Sequence, residues 1–209
     1  MTLVALSASY GAGGSRIGPE LAERLHVPFL DRAIPAAVAE ELAVPFDDAE
    51  AHDEQISANW LERLLAGLFA ADLSAPVPLA APARSAADFR SATEAILLRV
   101  AAEGQAVILG RAAAIVLRDR PHVLRVRLHG PRDRRIRQAM RLEDIDFATA
   151  QQRQRDLDRA HSTYAKHFYN VDVNDPALYH VVLDSTTIAL NACVEMLVAA
   201  AIELATDTR

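Results

Sequence analysis

The chain has 209 residues, 51% of them hydrophobic, so it is long and apolar enough to bury the core of one domain. Its formal net charge of -6 argues against general binding to nucleic acid, and no apolar stretch reaches the roughly 18 residues of a membrane span. The single cysteine, Cys193, excludes an internal disulfide, and the first residues lack the basic segment of a secretory signal. We therefore expect a cytoplasmic protein whose partners are neither nucleic acids nor membranes.

Charge is unevenly distributed along the chain. Between Arg111 and His167 there are 14 Lys and Arg residues against 7 Asp and Glu, whereas the remainder has 8 against 21. A basic segment within an acidic protein indicates a local anionic ligand rather than a long polyanion. Almost all of this positive charge is on arginine, since Lys166 is the only lysine.

Periodicity in the first part of the chain predicts strands that alternate with helices. The N-terminal elements are a buried strand at residues 3–8, a helix at 17–25 and a strand at 27–30 that ends at Asp31 and Arg32. A helical pattern then follows at 35–71, interrupted around Pro45. Residues 72–88 are rich in Pro, Ala and Ser and are expected to form a loop.

A capping-box pattern, Ser91-Ala92-Thr93-Glu94, predicts the start of the next helix, which ends at Gly104. The remaining pattern predicts, in chain order, strands at 107–109 and 123–128, helices at 132–141 and 149–166, a strand at 181–183 and a helix at 188–204. Such alternation predicts an α/β fold with an open parallel sheet and helices on both faces. Sheets of this kind bind ligands beyond the carboxyl ends of their strands.

The glycine-rich turn SYGAGGS follows the first strand and leads into the first helix. A phosphate loop has the pattern G-x-x-x-x-G-K-[ST], which Gly13 and Ser15 match, while Ala8 replaces the first glycine and Gly14 replaces the lysine. Successive amides at a helix N-terminus still form an anion cradle, but the charge of the lysine is missing. Arg16 is the nearest residue that could replace this charge.

The same turn partly fits the dinucleotide-binding pattern G-x-G-x-x-G. Gly11 and Gly13 match this pattern, but Arg16 occupies the third position. Asp31 ends a predicted second strand, about where a ribose-binding acid stands in that fold. A Rossmann-type dinucleotide-binding oxidoreductase therefore stays open as an alternative.

Five segments carry a more specific signal: GAGGSRI at 11–17, HVPFLDRAI at 26–34, VILGR at 107–111, RDLDRA at 155–160 and VVLDSTT at 181–187. Together they resemble the cytidylate kinases, and most closely the divergent cytidylate kinase-like family, whose loop reads G-x-G-G-x-x-I. Glycine in place of the loop lysine is therefore a feature of that family. The chain departs from typical cytidylate kinases at Ala112, where an aspartate usually follows the Gly-Arg pair.

The resemblance implies a single domain over residues 1–209 with the P-loop nucleoside monophosphate kinase fold. It also implies a helical monophosphate-binding insert at about 35–88 and a lid at about 141–170. The implied reaction is phosphoryl transfer from ATP to CMP with Mg²⁺, giving ADP and CDP. Such a reaction depends mainly on aligning the reactants and neutralising their charge, which suits an arginine-rich chain.

The loop pattern and the resemblance together imply roles for individual residues. The phosphates of ATP would bind to Gly11, Ala12, Gly13, Gly14, Ser15 and Arg135 or Arg137, with the Ser15 hydroxyl as the contact to Mg²⁺. The acceptor would bind beside Asp31, Arg32 and Arg111. The catalytic candidates are Arg16, in place of the missing lysine, and Asp156 and Arg159, which would close over the transferring phosphoryl group.

Loss of the lysine leaves a second function open within the same fold. A chain that kept the cradle and lost this charge would be a catalytically weak nucleotide-binding or regulatory protein. Affinity for nucleoside triphosphates distinguishes the active kinase and the weak nucleotide-binding protein from the oxidoreductase. Turnover then separates the active kinase from the weak binder.

Overall fold

A computed structural model describes residues 2–31, 86–110 and 112–206 of the chain. Most of the predicted insert at 35–88 lies outside these ranges, as do Arg32, Arg111 and the side chain of Asp31. Within them, the predicted strands and helices are present in the expected order along the chain.

The strands of the described ranges form one parallel sheet. They are β1 (Thr2–Ala8), β2 (Phe29–Asp31), β3 (Gln105–Leu109), β4 (Val123–His129) and β5 (Val181–Asp184). Their order across the sheet is β2-β3-β1-β4-β5, so β1 lies at the centre between β3 and β4. The predicted open parallel sheet is therefore confirmed.

The helices of the described ranges connect these strands. They are α1 (Gly14–Leu25), α2 (Ala86–Glu103), α3 (Ala113–Val116), α4 (Arg132–Glu143), α5 (Phe147–Tyr169) and α6 (Leu190–Thr206), with a 3₁₀ turn at Pro176–Leu178. None of these helices combines the length and the apolar composition that crossing a bilayer requires.

The start of α2 differs from the sequence prediction. The helix begins at Ala86, so residues 86–88 of the predicted loop are helical and Ser91 lies inside the helix. Ala86 and Ala87 are strong helix formers, and the side chain of Ser91 is exposed to solvent, where serine is tolerated. The predicted helix start at Ser91 is therefore wrong.

Helices cover both faces of the sheet, as the alternating pattern predicts. On one face, Leu21 of α1 and Leu197 of α6 belong to the same buried cluster as Val126 of β4. On the other face, Leu97 of α2 packs in a second cluster with Ile108 of β3. The central strands are therefore buried on both sides, which explains the nearly continuous apolar sequences of β1 and β3.

The carboxyl ends of the parallel strands meet at one edge of the sheet. β1 pairs with β4 as far as Ala8 and Leu128, and β4 pairs with β5 as far as His129 and Asp184. The turns that follow β1, β4 and β5 are therefore neighbours, and the turn after β3 lies on the opposite side of the central one. This is the edge at which open parallel sheets bind their ligands.

The helices α4 and α5 pack together beside the turn after β1. Ile136 and Ala139 of α4 form a small buried cluster with Ala150 of α5, and Tyr10 of the turn packs against it. The predicted lid, residues 141–170, falls on the end of α4 and on α5. We call this pair of helices the α4–α5 hairpin.

We expect Leu197→Ala to lower the free energy of unfolding by about 2–5 kcal/mol, because it leaves a cavity between α6 and the sheet. Met196→Ala is the matched control, since the neighbouring side chain is 48% exposed and its loss should change stability by less than about 0.5 kcal/mol. Urea denaturation followed by circular dichroism measures both values. Equal losses in the two variants would contradict this packing of α6.

Candidate functional site

The turn after β1 is the centre of the candidate site. Gly11 (φ +74°) and Gly13 (φ +78°) both have the left-handed backbone conformation that favours glycine. A Cβ atom on Gly11 would lie 2.2 Å from the carbonyl oxygen of Arg135, so α4 passes directly against this backbone. We call the residues from Ser9 to Gly13 the loop. Its glycines are explained by their left-handed backbone conformation and, at Gly11, by the close contact with α4.

Three carbonyl oxygens of the loop accept hydrogen bonds from buried side chains of neighbouring elements. The bonds run from Arg135 Nη1 to Tyr10 O (2.7 Å), from Gln138 Nε2 to Gly11 O (3.1 Å) and from Ser185 Oγ to Ala12 O (2.6 Å). The Ser9 oxygen accepts a hydrogen bond from the Ala12 amide within the loop (3.0 Å). The protein thereby satisfies the carbonyl groups of the loop and fixes its peptide planes.

The amides at the end of the loop remain open. In the parts of the chain that the structure describes, Gly13, Gly14 and Ser15 donate no backbone hydrogen bond to the protein, since they precede the first intrahelical bond of α1. Consecutive open amides at the positive end of a helix dipole bind anions, and phosphate in particular. The exposed side chain of Ser15 lies beside them.

Ala8 and Gly14, the two residues that differ from the phosphate-loop pattern, lie against each other. A Cβ atom on Gly14 would lie 2.7 Å from the Cβ of Ala8 and 3.1 Å from Leu109 Cδ1. A lysine therefore has no room at position 14 while position 8 carries a methyl group. The standard pattern has glycine at position 8 and lysine at position 14. Alanine at position 8 fills the space that a side chain at position 14 would need, so the two differences have one steric cause.

Arg135 supports the loop through an ion pair with Asp158 of α5. Its Nη2 lies 2.8 Å from Asp158 Oδ2, and its Nε donates to the carbonyl oxygen of Gly130 (2.9 Å). Asp158 also accepts hydrogen bonds from the Tyr10 amide (3.0 Å) and from Gln154 Nε2 (2.8 Å). All three guanidinium nitrogens of Arg135 are bound to the protein, which favours a supporting role. Its contact to ATP stays a prediction.

Tyr10 makes a second connection between the loop and the α4–α5 hairpin. Its hydroxyl donates to Glu143 Oε2 (2.9 Å), which also pairs with Arg153 Nη1 (2.7 Å). Burial, together with the hydrogen bond and charge of Glu143, raises the pKa of Tyr10 to about 12. The hydroxyl therefore stays a hydrogen-bond donor at neutral pH.

Two further titratable groups lie close to the loop, and neither stands out in the sequence as part of a site. Arg127 of β4 is 7% exposed and donates to the hydroxyl oxygens of Ser7 (2.8 Å) and Ser9 (2.9 Å). Burial, followed by the charge of Arg127, lowers the pKa of His161 below its ordinary value. The His161 imidazole is therefore neutral at pH 7.

The predicted catalytic residues of α5 do not contact the loop. Asp156 is exposed and accepts hydrogen bonds from Gln152 Nε2 (3.0 and 2.9 Å). Because a helix turns by about 100° per residue, Asp156 lies roughly 200° around α5 from Asp158 and Arg159 lies about 100° from it. Arg159 is also exposed. The closure of Asp156 and Arg159 over a phosphoryl group stays a prediction.

Asp158 is one of the loop-contacting residues that sequence reasoning missed, together with Gln138, Ser185 and Arg127. It follows Ala150 and Gln154 at intervals of four, and these two residues are buried. This spacing puts all three on one side of the helix, and an acidic residue on a buried side predicts an ion pair with a basic partner. The Asp-x-x-Arg spacing on which the prediction of Asp156 rests does not show which side of α5 packs against the rest of the protein.

Arg16 and Arg137 are both exposed. Arg16 lies in the first turn of α1 and lines an open groove together with Glu20 and Glu23. Arg137 lies on α4, roughly 200° around the helix from Arg135. Their predicted contacts to the donor phosphates stay predictions, as no hydrogen bond of either side chain within the described ranges tests them.

The strand that ends at the predicted acceptor-binding residue Asp31 lies on the other side of the loop from β4 and β5. Asp31 ends β2, and Arg111 follows Gly110 at the end of β3. β2 is the edge strand, two strands from β1, which corresponds to roughly 10 Å. Arg32, Arg111 and the Asp31 side chain lie outside the described residues, so their contacts stay predictions.

The strand order argues against the dinucleotide-binding alternative. In that fold β2 lies next to β1, so an acid at the end of β2 reaches a ribose bound at the β1 turn. Here β3 lies between β2 and β1, and Asp31 is displaced by one strand from the ribose position. The fold is therefore not that of a Rossmann-type oxidoreductase.

The residues present at the loop fit a magnesium ion that is bound mainly through phosphate. Across the described ranges, no group of three or more His, Cys, Asp or Glu side chains converges to hold a metal ion. Magnesium usually keeps several water ligands and takes only one or two from protein, with phosphate oxygens as the others. The exposed hydroxyl of Ser15, beside the open amides, suits this arrangement.

We expect Gly14→Ala to lower the free energy of unfolding by about 1–3 kcal/mol, because its Cβ would meet the Cβ of Ala8. In an Ala8→Gly background, Gly14→Ala should lower the free energy of unfolding by about 1 kcal/mol less, or by a still smaller amount, because the Ala8 methyl group no longer fills the space. A double-mutant cycle measured by urea denaturation gives this coupling. Additive effects would contradict the steric contact.

We also expect the protein to lose stability as the pH falls below 6.5, the ordinary pKa of histidine. The lowered pKa of His161 means that the unfolded chain takes up this proton at higher pH than the folded protein. The contribution is therefore complete above pH 6.5 and is lost as the pH falls through the folded pKa. His161→Gln should flatten the dependence of stability on pH below 6.5 in chemical denaturation, and an unchanged slope would refute this assignment.

Solved structures with a similar fold include one of a gluconokinase. A crystal structure of an uncharacterized protein from Eubacterium ventriosum has a TM-score of 0.65 at 16% identity, covering 97% of this chain and 99% of that one. A gluconokinase from Sinorhizobium meliloti has a TM-score of 0.51 at 16% identity, covering 98% of this chain and 93% of that one. At these identities the similarity shows the fold alone, which is the α/β fold of P-loop kinases.

No curated protein matches the chain. A family model, by contrast, matches residues 3–187, from β1 through the turn after β5. The matched region includes the loop, the α4–α5 hairpin and the segments that carry the sequence resemblance. The chain therefore belongs to the cytidylate kinase-like family.

Proposed function

We propose that the protein is a nucleotide kinase that transfers the γ-phosphoryl group of ATP to CMP or a related small acceptor, with Mg²⁺. The observation that carries the proposal is the loop, whose carbonyl groups are bound by Arg135, Gln138 and Ser185 while the amides at the start of α1 stay open. Membership of the cytidylate kinase-like family and the kinase fold support the same class of reaction.

The donor phosphates would bind at the loop. Gly11, Gly13, Gly14 and Ser15 would donate their amides, and the positive end of the α1 dipole would add to the attraction. Ala12 would act differently, because its amide is already bonded to the Ser9 oxygen and it therefore fixes the shape of the loop. When bound, Mg²⁺ would neutralise phosphate charge, with the Ser15 hydroxyl as its protein contact.

The acceptor would bind at the ends of β2 and β3, on the side of the loop away from β4 and β5. Asp31, which ends β2, and Arg32 and Arg111, which follow β2 and β3 in the sequence, are the residues proposed to hold it. With the donor on one side of β1 and the acceptor on the other, the two could meet in line at the loop. Ala112 has no carboxylate to read cytosine, so acceptors other than CMP belong in the same test.

The α4–α5 hairpin would supply arginine to the transferring group. Asp158 and Tyr10 join this hairpin to the loop, which would align the two parts of the site. Arg159 is exposed, and no hydrogen bond of its side chain is present within the described ranges, so its guanidinium group is accessible to a ligand. Guanidinium forks bind phosphate oxygens in pairs, and closure of a lid would exclude water.

A catalytically weak nucleotide-binding protein of the same fold is the second candidate. Two observations favour it: a lysine does not fit at position 14, and Asp156 lies on the far side of α5 from the loop-contacting Asp158. The two candidates share the binding of ATP at the loop. They differ in whether an acceptor is phosphorylated.

Formation of ADP from ATP and Mg²⁺, with a panel of nucleoside monophosphates, tests the proposal. We expect CMP or a related monophosphate to give ADP above the background of ATP alone. Arg159→Ala should lower turnover by about 10- to 1000-fold, because it removes charge from the transferring group. Its matched control is Arg155→Ala, another exposed arginine of α5, whose side chain bonds to Gln151 and whose loss should leave turnover unchanged.

Three results would change the conclusion. ATP binding without ADP formation from any acceptor would favour the weak nucleotide-binding protein. Equal turnover in Arg159→Ala and the wild type would remove Arg159 from the site. Absence of ATP binding, with or without Mg²⁺, would contradict both candidate functions.

A further inference from the structure

Arg127 is a buried cation in contact with the first residue of the loop. Its Nη1 donates to Ser7 Oγ (2.8 Å), and its Nη2 donates to Ser9 Oγ (2.9 Å) and to Asn174 Oδ1 (3.3 Å). All three acceptors are uncharged. The guanidinium group is therefore joined to the loop by a hydrogen bond, yet none of its bonded partners neutralises its charge.

No carboxylate balances Arg127 at close range. Within the described ranges, no Asp or Glu oxygen lies at ion-pair distance from it, and Asp158 pairs with Arg135 instead (2.8 Å). Asp158 and Asp172 attract Arg127 only from beyond hydrogen-bond distance, since Asp172 is exposed and its carboxylate binds the amide groups of Asn174 (2.9 and 3.1 Å). No carboxylate in the described ranges is thus in direct contact with Arg127, and its buried charge is only partly offset.

A buried cation whose charge is only partly offset is unfavourable, because water is removed from it and no contacting group of opposite charge replaces the water. A polyphosphate at the loop would provide that opposite charge across the protein interior, where attraction is screened far less than at the surface. Arg16 is in a different situation, since it is exposed in an open groove that Glu20, Glu23 and Arg24 also line. Solvent weakens the field of Arg16 at the loop.

We propose that Arg127, which donates to Ser9 Oγ at the start of the loop, supplies the positive charge that a lysine supplies in a standard phosphate loop. It is a positioning residue, because it favours the bound polyphosphate through its field and through the loop rather than by direct contact. The methyl group of Ala8, which keeps a lysine out of position 14, explains why the charge has another origin. This inference rests on the proposed function, since it needs a nucleotide at the loop.

Isothermal titration of the full chain with ATP and with ADP, in the presence of Mg²⁺, tests this role. We expect Arg127→Met to weaken ATP binding by at least about tenfold and ADP binding by less, because ADP carries fewer charges. Arg127→Lys keeps the charge without the fork and should bind ATP within about threefold of the wild type. Arg120→Met is the control, because it removes an exposed arginine before β4 and should bind both nucleotides like the wild type.

Two patterns would overturn the inference. Equal losses for ATP and ADP that Arg127→Lys does not restore would show that Arg127 only maintains structure. A loss in Arg16→Met without one in Arg127→Met would assign the charge to Arg16. If near-ultraviolet circular dichroism shows that Arg127→Met is unfolded, Arg127→Gln gives the same comparison, because its amide can still donate to a serine hydroxyl.

Failure of the proposed function gives a different result from failure of this inference. A wild-type protein that binds neither ATP nor ADP would overturn the proposed function, and the inference with it, before any variant is compared. A wild-type protein that binds ATP, together with an Arg127→Met variant that binds it equally well, would overturn only the inference.

Discussion

The central carbonyl oxygens of the loop accept hydrogen bonds from two separate parts of the chain, and the rest of the site depends on this arrangement. Arg135 and Gln138 come from α4, whereas Ser185 comes from the turn after β5. Peptide planes held through their carbonyl groups leave the amides of Gly13, Gly14 and Ser15 open within the described ranges. The close approach of α4 is also the reason that position 11 requires glycine.

The exchange of residues at positions 8 and 14 has an electrostatic consequence. Because Ala8 fills the space beside Gly14, the loop has no ammonium group of its own. The neighbouring elements instead bury two guanidinium groups, Arg127 and Arg135, against a single paired carboxylate, that of Asp158. Buried charge that no partner neutralises is unfavourable in the free protein, and under the proposed function a highly charged ligand on the loop would offset that cost. Binding and stability would then be linked through the same groups.

Local sequence patterns were sufficient to predict most of the fold. The period of two in β4 and the helical period of α1 and α5 are short-range properties, so each element was found within a few residues of its observed bounds. The glycine-rich turn after β1 was equally visible, because its conformation depends on the residues within it. The start of α2 was missed because a capping pattern at Ser91 competes with helix-forming residues that precede it.

The sequence by itself therefore determined the parallel α/β architecture, the position of the loop and the family. Only the tertiary structure decided that Asp158 rather than Asp156 contacts the loop, that Ala8 excludes a side chain at position 14, and that Arg127 is buried. These features are contacts between residues far apart in the chain, such as Tyr10 and Asp158, which are separated by 148 positions. Spacing within one segment carries no information about such contacts, because they depend on which side of a helix or strand packs against the loop.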